Sequence, residues 1–233
     1  MKYTSLSSFI FWTLLIFFFF LFSTLGIWQI YRLQWKNTLI ARVNERIHLA
    51  PRPAPLLAEW FKIKAPNYDY LPVSIKGHFL NDKNIFVHAL TIYGSGYWLL
   101  SPLETSEHSI IFINRGFVPM EKKKKIQNTF QEVRIHGLLR MEEKNGYLIR
   151  NNPDKDLWYT RELSAMAKAK KLSTVAPYFI DADKAMESFP IGGLTVIQFP
   201  NNHLVYALTG FTLAGGVLVG ALFLLLPKKI SKK

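Results

Sequence analysis

Asn201-Asn202-His203-Leu204-Val205-Tyr206-Ala207-Leu208-Thr209-Gly210-Phe211 opens the second of two long apolar runs, and its reading decides the architecture of the chain. From Leu204 to Leu226 no side chain carries a formal charge, and Pro227-Lys228-Lys229 ends the run. About 20 apolar residues at a rise of 1.5 Å cross the ~30 Å hydrocarbon layer, so residues 204–226 read as a transmembrane helix. Asn202 is a natural N-cap for it. His203 then falls in the first turn, at the membrane boundary, as the only histidine beside either apolar run. An ionisable residue at that depth is a candidate functional group. At about 100° per residue, Tyr206, Ala207, Gly210, Ala214 and Ala221 lie within about 60° of it. Small residues on one side of a membrane helix admit a second helix, and packing alone accounts for that face equally well.

The first apolar run, from Phe9 to Ile30, is too long for a signal-peptide core and is followed by no small-residue cleavage site, so it reads as a retained anchor over 9–31 behind a tail at 1–8. No Arg/Ser-rich presequence precedes it, which points to a bacterial protein. Beyond it the helix continues, with Trp28, Arg32, Trp35, Leu39, Arg42 and Arg46 within about 40° of one line. Interfacial Trp, Tyr and snorkelling Arg suit a headgroup layer by themselves; Gln29, a polar side chain just inside the span, fits that explanation less well. Pro51, Pro53 and Pro55 end the helix, making 32–56 an interfacial helix and stiff connector.

All 16 acidic residues lie between the two runs, against 24 of the 29 basic ones; the other five, Lys2, Lys228, Lys229, Lys232 and Lys233, sit in the tails. Basic tails abutting membrane spans point to anionic lipid as the partner and not to nucleic acid. For orientation the two spans disagree. Basic residues follow each of them (Arg32, Lys36, Arg42 and Arg46 after the first), against only Lys2 before the first and only Lys184 in the 20 residues before the second. Long loops translocate largely regardless of charge, so the expectation is both tails cytoplasmic and the central domain outside. Without cysteine, the chain has no disulfide, thiolate nucleophile or Cys-bearing metal site.

Residues 57–203 read as a β-rich domain, large enough to bury about two thirds of its chain surface and fold as one unit. Strands are predicted at 70–80, 85–90, 97–103, 109–118, 133–140, 175–180 and around 194–199, from β-branched and aromatic residues between turn signals. Gly94-Ser95-Gly96 predicts a hairpin connection, and Thr160 a helix cap for 160–171 with Leu163, Met166, Ala167 and Lys170 on one face. The run Lys122-Lys123-Lys124-Lys125 reads as a solvated turn in preference to a docking patch. The chain contains no internal repeat.

Catalytic chemistry finds no foothold here. His48, His78, His88, His108 and His136 are scattered, with no His-x-His or His-Glu-x-x-His pair. There is no Gly-x-Ser-x-Gly elbow and no phosphate-cradling loop. Glu142-Glu143 reads as ordinary surface, and Asn114-Arg115-Gly116 as a Gly-assisted turn at a strand end with a structural arginine. A non-enzyme is expected. In a two-span hairpin, however, the end of the first helix and the start of the second emerge on one side. Trp28, Gln29 and Arg32 then reach the level of His203 and Tyr206. Neutral imidazole is an axial ligand for haem iron, and guanidinium matches propionates.

These residues carry a resemblance that runs nearly end to end. The motifs are Gly26-x-Trp28-Gln29-x-x-Arg32-x-x-Trp35-Lys36, Tyr97-x-x-x-Ser101-Pro102-Leu103 and Asn114-Arg115-Gly116-Phe117-Val118-Pro119. Then come Gly137-x-x-Arg140, Asn152-Pro153 before Trp158-Tyr159, Gly192-Gly193 and Asn201-Asn202-His203-Leu204-x-Tyr206-Ala207-Leu208-Thr209-x-Phe211. In these the chain resembles a bacterial member of the Surfeit-locus family of cytochrome c oxidase assembly proteins. The resemblance implies an α+β membrane protein of the bacterial inner membrane, two transmembrane helices flanking a β-rich periplasmic domain. It implies help in inserting haem a into subunit I of an aa3-type oxidase, with subunit I and the haem a synthesis machinery as partners. His203 is the implied haem ligand, with Tyr206, Trp28, Gln29 and Arg32 around it. Where the family usually has tryptophan this chain has Gly210 and Phe117, and a lost aromatic wall at Gly210 is expected to loosen haem contact. The alternative is a cofactor-free scaffold that stabilises an oxidase intermediate.

Overall fold

The computed structural model describes residues 3–226 except 144, 145, 147, 148, 184–188 and 198. Lys2, Lys184 and the basic tail 227–233 therefore lie outside the described residues. The chain forms two compact units, one made of 1–42 with 198–233 and the other of 43–197.

The first unit is a helix pair. Helix α1 runs unbroken over Tyr3–Ile47 and α4 over His203–Leu225; both are long and apolar enough to cross a membrane. Asn202 does occupy the N-cap position of α4, but its side chain makes no capping bond. The hydrogen bond there belongs to Asn201 instead, whose amide reaches α1.

The second unit is strand-rich. Its elements are β1 (Arg52–Pro53), α2 (Ala65–Tyr68), β2 (Pro72–Phe79), β3 (Ile85–Thr91), β4 (Gly94–Glu104), β5 (Ile110–Pro119), β6 (Val133–Met141), α3 (Leu163–Ala169) and β7 (Val175–Ala182). Strand order is β1-β2-β6-β7-β5-β4-β3, and β2 also pairs with β4. The ring β2-β6-β7-β5-β4 thus closes on itself, which leaves only β1 and β3 outside it and removes most exposed edge. Closure sorts side chains by parity. Ile111, Ile113, Tyr178, Ile180, Leu103, Val73 and Leu139 fill one core. Phe112, Phe179, Leu100, Ile85 and Val87 fill a second, under Trp158, Leu163 and Met166. Because β5 is buried on both faces, its apolar run is continuous and not alternating.

Several local expectations change. The β3–β4 connection is Ile92-Tyr93, and Gly94-Ser95-Gly96 already belongs to β4; Gly94, at φ +90°, supplies the turn's exit. Helix α3 starts at Leu163 with Glu162 as N-cap, because Thr160 is engaged with Asn151. No strand forms among the described residues of 194–199; Thr195 there donates to Asp181 Oδ2 at 3.0 Å. Asn114-Arg115-Gly116 is not a terminal turn but a bulge inside β5, where Leu99 pairs Gly116 and Leu100 pairs Asn114. Arg115 is the extra residue, its guanidinium 4.8 Å over the Phe79 ring.

Glu143 is likewise not ordinary surface. It pairs with Arg161, which lies 3.5 Å from Asp181. Asp181 also receives Arg140 Nη1 (3.3 Å) and Asn114 Nδ2 (2.7 Å), while Arg140 Nε donates to Asp69 at 2.9 Å. Burial alone raises the Glu143 carboxyl's pKa, but hydrogen bonds from Arg161 and its charge outweigh burial and hold it below the usual carboxylate range. Sequence distance hid this cluster: its members come from 69, 114, 140, 143, 161, 181 and 195.

Gly116 has φ +127°, and a Cβ there would lie 2.3 Å from the Ile191 carbonyl oxygen. Gly116→Ala is expected to lower unfolding free energy by more than about 3 kcal/mol, left-handed strain plus clash. Gly94→Ala, whose Cβ meets nothing, should cost only about 1 kcal/mol. Denaturation midpoints of the two variants provide the check, and equal losses would remove the close approach as the cause. For Glu143 the lowered folded pKa means stability is fully present above about pH 4.3, the unperturbed value, and is lost as pH falls through the folded one. Melting temperature from pH 7 to pH 3 should show a shallower decline in Glu143→Gln than in wild type, with the variant already lower at pH 7.

Candidate functional site

The two helices of the first unit run antiparallel, with the end of α1 beside the start of α4. Asn201 Nδ2 donates to Asn37 Oδ1 at 2.7 Å, and Lys36 Nζ lies 5.2 Å over the Phe199 ring. Farther along, Gly26 and Gly210 meet. A Cβ on Gly210 would lie 3.1 Å from the Phe22 carbonyl oxygen and 3.2 Å from Gly26 Cα, and one on Gly26 would lie 2.8 Å from the Phe211 ring. Ala207, Gly210 and Ala214 are the buried residues of α4. Small side chains on this face therefore bring the backbones together, as the residue pattern predicts. Gly210 sits where the helices cross, so a larger side chain there would press on the Phe22 carbonyl and on Gly26.

Between these two contacts lies the histidine. His203 Nδ1 is 2.7 Å from Gln29 Oε1. An amide oxygen only accepts, so Nδ1 carries the proton and donates it; in the neutral ring Nε2 keeps the lone pair. Gln29, apolar in surroundings and polar in chemistry, is thus explained as the orienting partner of an imidazole.

The other predicted site residues are not in hydrogen-bond contact with His203. Trp28 and Tyr206 are about half exposed. The Arg32 guanidinium lies 4.0 Å over the Trp35 ring. Yet they share a flank. Trp28 and Arg32 precede the Gln29 direction on α1 by about 100° and 60°, and Tyr206 precedes His203 on α4 by about 60°. In antiparallel helices rotations of the same sign turn to the same side. The pair therefore presents imidazole, phenol, indoles and cation along one edge of the helix contact. Nearer the far ends an open apolar groove of about 540 Å³ is lined by Leu15, Phe22, Leu213, Gly216, Val217 and Phe223, among others. Among the described residues no group of three or more His, Asp or Glu could hold a bare metal ion.

The residues missed by sequence reasoning are Asn37, Asn201 and the Gly26–Phe211 contact. Gly26 could have been found: it lies one turn from Gln29 on the same side of α1, the only glycine of that helix.

Two membrane-length helices in contact through a hydrogen-bonded histidine, joined in sequence through a β-rich unit, define a class: an α+β membrane protein with terminal spans flanking a strand-rich region. The SURF1 family model matches residues 16–215, and the chain belongs to that family, whose members are known as cytochrome oxidase assembly factors. It is 33% identical over 212 residues to Surfeit locus protein 1 of Rattus norvegicus, covering 81% of this chain and 67% of the relative. To Surfeit locus protein 1 of Homo sapiens it is 31% identical over 217 residues, 82% and 69% of the two chains. A SURF1-like protein of Rickettsia bellii is 31% identical over 206 residues, 84% and 82% of the two.

The clamp is testable in a chain that otherwise has no cysteine. Asn37→Cys with Asn201→Cys is expected to cross-link within one molecule on mild oxidation, seen as faster migration in SDS gels. Adding Gly210→Leu should cut that yield several-fold, because the larger side chain pushes the crossing apart.

Proposed function

We propose that this chain assists assembly of an aa3-type cytochrome c oxidase by holding haem a transiently at the outer ends of α1 and α4 and presenting it to subunit I. The observation that carries the reading is the His203–Gln29 hydrogen bond, which occupies Nδ1 and leaves the Nε2 lone pair available for a ligand. The donor set fits the group: a neutral imidazole for iron, the Arg32 cation for a propionate, and Trp28 and Tyr206 for the macrocycle's faces and rim. Bound there, the haem would supply iron with an open coordination position; the chain's residues bind and orient it and carry out no bond-making of their own. The holding surface on this reading is the flank that Trp28, Arg32 and Tyr206 share, which the close approach of the helices at Gly26 and Gly210 supports.

On this reading the protein is not an enzyme. It resides in a bacterial inner membrane with both tails cytoplasmic and the central unit periplasmic. Its partners are subunit I, the haem a synthesis machinery and anionic lipids, with no nucleic acid. Family membership supports the assembly role, and the scattered histidines with no catalytic pairing support its non-catalytic character.

Protein purified from cells that make haem a is expected to show a low-energy haem band. His203→Ala should abolish most of it, and Gln29→Leu should weaken it several-fold with the protein still folded. An unchanged spectrum in His203→Ala removes that residue from its role. Oxidase assembly that survives His203→Ala but fails when the central unit is disturbed would favour the cofactor-free scaffold.

A further inference from the structure

The tip of the β3–β4 hairpin is built against the usual chemistry of tight turns, which favour Gly, Asn, Asp and Ser. Here the sequence is Leu90-Thr91-Ile92-Tyr93, with Leu90 83% and Ile92 90% exposed. Tyr93 is held in place by stacking on Phe117 at 6.3 Å, and its N–H donates to Thr91 Oγ1 at 3.1 Å. The apolar tip is thus an ordered feature. At the same end of the sheet Gly96 pairs with Pro119, so β5 delivers the 3-10 turn Met120–Lys125 beside the hairpin. Met120 is exposed, and so are Lys123, Lys124 and Lys125. Lys123 Nζ lies 4.7 Å over Phe86 and 4.6 Å over Tyr97, which fastens the turn to β3 and β4; Lys122 Nζ lies 3.5 Å over Phe189. Glu121 is the turn's one carboxylate. Three exposed apolar side chains, a half-exposed tyrosine and a lysine run on one edge match no feature of the helix pair's chemistry.

We propose that the β3–β4 hairpin tip and the Met120–Lys125 turn form a docking patch for an anionic phospholipid surface. Leu90, Ile92 and Met120 enter the headgroup boundary, Tyr93 sits at its level, and Lys124 and Lys125 hold lipid phosphates. Two observations select lipid over a protein partner. The cations surrounding the apolar tip complement an anionic surface. The chain also enters and leaves this unit through membrane-length helices, so bilayer is present at high effective concentration for every copy. The patch is independent of the haem reading: it needs only the spans and the β-rich unit.

The test uses the full chain in nanodiscs of phosphatidylcholine alone or with one quarter phosphatidylglycerol. Ile92→Cys creates a unique labelling site, since the chain has no cysteine. Ser106→Cys, in the exposed loop at the other end of β4, is the control. An environment-sensitive fluorophore at 92 is expected to shift to the blue and be quenched by brominated lipid, more strongly with phosphatidylglycerol, while the label at 106 is not. Each lysine near such a surface is worth about fivefold in the docked-to-free ratio, so Lys124→Gln with Lys125→Gln should lower that ratio on the order of twentyfold. A label at 92 as water-exposed as that at 106, in discs of either composition, overturns the proposal. So does a label shielded but untouched by brominated lipid, which would assign the tip to a protein.

Discussion

The helix pair depends on one contact, the approach of α1 at Gly26 to α4 at Gly210. Inside a bilayer apolar side chains gain nothing by leaving lipid, so two spans associate through close backbone packing and polar bonds. Any Cβ on Gly26 would strike the Phe211 ring, and one on Gly210 would require its neighbours on α1 to give by a few tenths of an ångström. That crossing sets both axial register and rotation. One turn along α1 from Gly26 is Gln29, and two turns back along α4 from Gly210 is His203. Both therefore face the partner helix, and a 2.7 Å hydrogen bond results. The Asn37–Asn201 bond closes the pair beyond it. Two glycines thus place a histidine that neither of them touches.

In the β-rich unit the corresponding constraint is β5. Its residues alternate between two cores, so the strand tolerates water on neither face. The bulge at Arg115 allows Asn114 to bond Asp181 while Gly116 passes under the Ile191 carbonyl. Asp181 then gathers Arg140, Arg161 and Thr195 around one buried carboxylate. Such a network adds little net stability compared with apolar packing, but loss of one partner leaves an unpaired buried charge and costs about 3–5 kcal/mol. Its effect is to tie Asp69, β6, β7 and the segment at 195 into one arrangement.

How much of this was legible follows from which signals are local. Uninterrupted apolar length marked both spans, and β-branched runs marked six of the strands, because burial imprints period and composition directly. The strand predicted around 194–199 failed because Val196 and Ile197 are apolar yet exposed, and Thr195 spends its hydroxyl on Asp181. The helix cap failed because Thr160 already had a partner in Asn151. The lysine run does form an exposed turn, but the seats of Lys122 and Lys123 on aromatic rings were not legible. In each case a side chain's partner is distant in sequence, and composition carries no record of it. Of the candidate site, His203 was visible as an ionisable group beside a span and Gln29 as a polar one inside it. Their hydrogen bond was not, since it depends on the relative rotation of two helices and hence on Gly26.

The partner chosen for that imidazole bears on the proposed role. A carboxylate on Nδ1–H would pull the proton strongly, make Nε2 a stronger donor and favour a long-lived iron bond. Gln29 supplies a neutral amide oxygen instead, which fixes the tautomer and ring orientation with much less push. Such a weaker hold would suit the proposed delivery, in which the receiving protein would have to bind the same group more tightly. The flank geometry acts in the same direction. Trp28 and Tyr206 are half exposed, and the helices are in contact beside them. On the proposed reading, a ligand on that edge would leave sideways while the Gly26–Gly210 crossing stays closed, without parting the helices.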